Sequence, residues 1–101
     1  GSAYLFNVAP FYHLMVHPLP LQSADDGKFE VRYGAPGSPT ALFYHWVGPT
    51  GFGRLIGIQF ADPEGMAQWE FRIPAEQAGV DLWFQAIQPE GVTNVIATEV
   101  R

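Results

Sequence analysis

Two histidines stand four residues apart in FYHLMVHPLP, residues 11–20, and a third, His45, follows in ALFYHWV. Histidine is the commonest metal ligand and the side chain whose charge changes near neutrality, so these three come first as carriers of chemistry. In an extended strand His13 and His17 share a face but lie roughly 13 Å apart. That is too far for both to ligate one ion through Zn–N bonds of about 2.0–2.1 Å. The same spacing converges on a helix, yet Pro10, Pro18 and Pro20 oppose a helix here. His45 can therefore join only one of the other two, which leaves His13 with His45 as the metal alternative. A ring hydrogen-bonded to backbone is the commoner fate of such a residue.

Other chemistries find less. Ser23, Ser38, Thr40 and Thr50 sit in no nucleophile elbow, and the chain has no cysteine. Asp25 and Asp26, and Asp62 with Glu64, are carboxylate pairs in turn sequences, at spacings that match no calcium loop. GPTGFG (48–53) lacks the lysine and following helix of a phosphate cradle. No catalytic residue and no cofactor is assigned, and the expectation is that the protein is not an enzyme.

The elements that would hold these residues are short. Nine prolines and 11 glycines cut the 101 residues into strand-length pieces. In order they are 4–9, 11–17, 28–33, 41–47, 54–60, 67–73, 81–87 and 92–100. KFEVRY and QWEFRI alternate apolar and polar residues, the mark of half-buried antiparallel strands. Turns are expected at Asp25-Asp26-Gly27 and Asp62-Pro63-Glu64-Gly65, longer loops at 34–39 and 48–53, and a loop rather than a helix at 75–78. The fold expected is all-β: an antiparallel two-sheet sandwich, immunoglobulin-like with Greek-key connections, of about seven or eight strands, with a closed barrel as the alternative. Gly1-Ser2 reads as a cloning remnant and 3–101 as one domain.

Composition narrows the partners. Five Lys+Arg against 10 Asp+Glu give a net charge of −5, which cannot build the basic face of a nucleic-acid binder. No apolar run reaches the ~18–20 residues of a membrane span, and no leader sequence is visible. Three strands carry apolar side chains on both faces: YLFNVA, ALFYHWV and DLWFQAI. That excess points to cover by another surface, with Leu42, Tyr44, Trp46 and Trp83 as the candidate binding residues. The occupant expected is protein, by self-association or a neighbouring domain, with the N-terminal strand as a possible docking strand. Tyr44, Trp46 and Trp83 as a sugar-stacking platform are the alternative, so carbohydrate is kept as a second partner.

From Phe60 onward the chain carries Asp62 to Gly65, then Trp69 to Pro74, Gly79, Leu82 to Ala86, and Thr93 to Ile96. In this order of turn and core residues it resembles β-sandwich modules of large secreted and surface proteins of planctomycetes and related bacteria. The resemblance implies an extracellular or cell-surface, non-catalytic, structural or protein-interaction module of a bacterial assembly.

Overall fold

The structure, a computed structural model, describes residues 12–46 and 53–101. Eight strands occur among them: β1 (His13–His17), β2 (Asp26–Arg32), β3 (Pro39–His45), β4 (Arg54–Phe60), β5 (Ala67–Arg72), β6 (Asp81–Gln88), β7 (Gly91–Val92) and β8 (Ile96–Glu99). They form two antiparallel sheets rather than a closed barrel. One has the order β1-β2-β5; the other runs β4-β3-β6, with β7 and β8 both pairing β6. The chain leaves the first sheet after β2 and returns to pair β5 beside it. The expected two-sheet sandwich is therefore what the sequence builds. The expected N-terminal strand, 4–9, and most of the loop at 48–53 lie outside the described residues.

Alternation sets the three-stranded sheet. Phe29 pairs Trp69 and Leu14 pairs Val31, which turns these four side chains inward. Lys28 pairs Glu70 and Glu30 pairs Gln68 on the wet face. From the other sheet Leu42, Leu82, Phe84 and Ala86 complete the core. Phe29 joins the layers: its ring stacks on Phe71 at 4.8 Å and meets Phe84 of the opposite sheet at 4.7 Å.

Turn chemistry is partly as expected. Asp62 Oδ1 accepts from the backbone N–H groups of Glu64 and Met66, both at 2.9 Å, and Gly65 follows at φ +82°. The Asp25-Asp26-Gly27 turn falls instead at Ser23–Ala24, with Ala24 at φ 60°. Gly27 belongs to β2, where a Cβ would come within 3.1–3.2 Å of Leu21, Ile73 and Phe29. It is there for close packing rather than for a turn. Residues Ala75–Gln77 make one 3-10 turn in the expected loop.

The expected last strand, 92–100, is broken into β7 and β8. Thr93 Oγ1 accepts from the Ala86 N–H at 3.0 Å and donates to the Asn94 carbonyl at 2.9 Å. Asn94 turns its amide to β1, accepting from the Leu14 N–H at 2.8 Å and donating to the Leu14 carbonyl at 3.2 Å. Thr93 stays bonded to β6, its N–H donating to the Ala86 carbonyl at 2.9 Å, and Asn94 ties the two sheets together.

Candidate functional site

The three histidines do not meet. His13 and His17 are exposed on the outward face of β1, as their spacing requires. His45 is buried at the end of β3, in the other sheet, and has a partner. Among the described residues no three His, Cys, Asp or Glu side chains gather around a common point. Residues 1–11 and 47–52 contain none of these types. The His13–His45 alternative is not assembled.

The four candidate binding residues divide between two faces. Leu42 is fully buried, paired with Ala86 in the core, so it offers no contact surface. Tyr44 lies two residues further along the same inward face, half-buried beside Phe84. Trp46, just past β3, is 50% exposed. Trp83 pairs with His45, which places it on the outward face of the five-stranded sheet. Tyr44, Trp46 and Trp83 thus form no single platform.

What the structure does bring together lies where the chain crosses from β5 to β6. At this end an open cavity of about 230 Å³ lies between the sheets. Tyr44, Ile56, Phe71, Ile73, Leu82 and Phe84 supply apolar walls, with Arg72, Pro74 and Gln77 at the rim. Ile56 reaches the cavity because the β3–β4 register shifts between Leu42 and Phe43: Leu42 pairs Gly57, Phe43 pairs Leu55, and Ile56 is the extra residue. Beside it, the rings of Tyr44 and Trp46 sit 5.9 Å apart, and the Arg54 guanidinium lies 5.4 Å over the Trp46 ring. Arg72 faces Asp26 across the strands. Arg54 makes no ion pair with a carboxylate among the described residues. Sequence reasoning named Tyr44 and Trp46 but missed Ile56, Phe71 and Arg54. A bulge and a gap between sheets leave no periodic signal.

The opposite end of the sandwich is polar and closed. Buried Gln88 donates to Thr40 Oγ1 at 2.7 Å and accepts from the Ala35 N–H at 3.1 Å. Ser38 Oγ donates to the Glu90 carboxylate, with both oxygens within 3.1 Å. Burial first, and the Glu90 charge second, push the Tyr12 hydroxyl pKa above the usual tyrosine value. These groups satisfy one another, and no cavity opens on them among those described.

No family model and no curated protein matches the chain. Among solved structures it is similar to the superoxide reductase (neelaredoxin) of Ignicoccus hospitalis, with a TM-score of 0.60 and 12% identity over 89% of this chain and 80% of that one. Two variants of that protein align likewise, with TM-scores of 0.57 and 0.58 at 12% identity. They cover 91% and 90% of this chain and 83% and 82% of theirs. At this identity the likeness shows the fold: an antiparallel sandwich of the kind on which those superoxide reductases are built. It also corrects the expectation of a non-catalytic, immunoglobulin-like structural module of a surface assembly, and with it the expectation that the protein is not an enzyme. The proteins sharing this sandwich are named for an enzymatic activity.

Proposed function

We propose that the protein binds a small, largely apolar anion in the cavity between its sheets. The observation that carries this reading is the 230 Å³ opening walled by Tyr44, Ile56, Phe71, Leu82 and Phe84 at an otherwise close-packed core. A cavity of about 150 Å³ lined by apolar side chains already holds benzene, so one ring with a short side chain fits this one. Arg54 and Arg72 place two of the chain's five cations at or beside the mouth. In a chain of net charge −5, these two guanidinium groups are the attraction that this end offers a carboxylate.

The name of the structural neighbours suggests another reading, reduction of superoxide. That step transfers an electron, chemistry that a redox metal or another cofactor would supply. The donors here do not fit a metal: no cysteine and three histidines divided between two sheets. No step through such a group is derived.

Two-dimensional NMR tests the cavity. Titration with benzoate, indole-3-acetate and hexanoate is expected to shift the resonances of Ile56, Leu82 and Phe84. Benzyl alcohol, the neutral counterpart of benzoate, should bind more weakly. Ile56→Phe fills the space and should weaken binding about 10-fold or more, and Arg54→Gln should weaken the anions while leaving the alcohol unchanged. The reading fails if these resonances stay fixed at millimolar ligand, or if Ile56→Phe binds as the parent does.

A further inference from the structure

Tyr44, Phe71 and Phe84 put rings into the cavity wall, and two of these rings belong to the cluster at the centre of the core. Phe71 follows Trp69 on the inward face of β5, but it is half-buried where Trp69 is buried. Its cross-strand partner is Gly27 of β2, while Phe29 pairs Trp69. Phe29 and Phe71 are thus diagonal neighbours, a relation that ordinarily leaves about 7–8 Å between them. With no side chain at Gly27, the Phe29 ring leans across and lies flat on Phe71, centroids 4.8 Å apart and planes within 3°. A Cβ at Gly27 would stand 3.2 Å from the Phe29 ring.

Phe29 covers one face of the Phe71 ring and does not line the cavity. Arg72, Ile73 and Pro74, which continue the chain beyond Phe71, do line it. The cavity therefore meets Phe71 from the side away from Phe29. Phe84 forms an adjoining wall and meets Phe29 at a 49° tilt, centroids 4.7 Å apart. Because Phe29 and Phe71 are parallel to within 3°, Phe84 is inclined to Phe71 by close to the same angle. A flat ring laid on the free side of Phe71 would find Phe71 stacked and Phe84 tilted, as Phe29 does from within the core. Aromatic pairs favour these offset-stacked and inclined arrangements, at centroid distances of about 4.5–7 Å.

We infer that the cavity selects a planar aromatic carboxylate over an aliphatic one. The ring of the ligand becomes the third member of the Phe29–Phe71 stack, with its carboxylate at the rim beside Arg72 and Gln77. This rests on the binding reading proposed above and names the ligand class within it. Burial alone favours the opposite choice, since a saturated ring of equal carbon number carries more hydrocarbon surface out of water. Stacking between rings adds about 2- to 10-fold in affinity beyond burial. A preference for the flat ring therefore reports the aromatic wall rather than general hydrophobicity.

Benzoate and cyclohexanecarboxylate, matched in carbon number and charge, test the inference. Titrated into the whole chain and followed by two-dimensional NMR, benzoate should bind about 2- to 10-fold more tightly. Its ring protons should move upfield when bound and give nuclear Overhauser contacts to the Phe71 ring. Phe71→Leu keeps an apolar wall without a ring, so the preference for benzoate should vanish while cyclohexanecarboxylate still binds. Should that variant lose its dispersed spectrum, the relative affinities and Overhauser contacts in the parent chain decide alone. If the parent binds both acids equally, or binds benzoate without contacts to Phe71, the stacking is overturned and the cavity reading stands. A preference that persists in Phe71→Leu overturns it too, because the thickness of the opening would then be choosing. If neither acid moves the resonances of Ile56, Leu82 and Phe84, the cavity reading itself falls and takes this inference with it.

Discussion

Trp69 has the one buried side-chain nitrogen among the described residues that finds no partner. Its ring fills the core opposite Phe29, and its Nε1 points toward β4, where Gly57 offers no side chain. A Cβ built on Gly57 would lie 3.7 Å from that nitrogen, an ordinary contact. The backbone of Gly57 is not left-handed, so a larger residue fits without strain. Gly57→Ser therefore places a hydroxyl where it can accept from the indole N–H. The replacement should stabilise the fold by about 1–2 kcal/mol, roughly half from the new hydrogen bond and half from losing a strand glycine. Gly57→Ala provides only the second half. Urea unfolding of both variants separates the two contributions, and a serine no better than alanine would show that the bond does not form.

At the scale of elements, what could be read in advance follows the two periodicities. KFEVRY and QWEFRI alternate, and the structure lays them as β2 and β5 with Phe29 and Trp69 facing inward. ALFYHWV does not alternate because its two faces meet different apolar environments. Leu42 and Tyr44 turn to the core, while Ala41 and Phe43 turn to the apolar outward face. Strand existence is legible despite this ambiguity; the role of each side chain is not, which is why Leu42 reads as surface in the sequence but is buried in the fold. The break after β7 was equally hidden, since Thr93 and Asn94 act through side-chain bonds with no period. Asn94 is a stand-in strand for the free edge of β1, bonded to both backbone groups of Leu14 from 80 residues away. Asn94→Ala leaves the Leu14 N–H and carbonyl without these bonds and should cost about 1–3 kcal/mol. The Leu14 amide should exchange with deuterium faster by more than the global loss of stability explains. Exchange that tracks only the global change would mean that water replaces Asn94 without penalty.

For the whole molecule, the question is whether two sheets with such different outer faces fold as one unit. Among the described residues few hydrogen bonds run between them; Asn94 to Leu14 are two, and the Leu21–Val100 bridge is another link. Most of the coupling therefore falls to the core, and at its centre three rings span the gap: Phe71 on Phe29 within one sheet, and Phe29 on Phe84 between sheets. Phe84 is 2% exposed and belongs to β6, the strand that pairs β3, β7 and β8. Truncating it removes the ring that links the layers and leaves a void beside the existing cavity, which Phe84 also lines. Phe84→Ala should cost about 3–5 kcal/mol, a large share of the roughly 5–15 kcal/mol that holds a domain of this size. Because no second core exists among the described residues to sustain either sheet alone, the loss should appear as a single shifted transition. Far-ultraviolet dichroism reports the strands, and tryptophan fluorescence reports Trp69 of the three-stranded sheet together with Trp46 and Trp83 of the other, so the two curves should shift together in urea. Separation of the curves would show that the ring contacts do not make the sandwich one cooperative body.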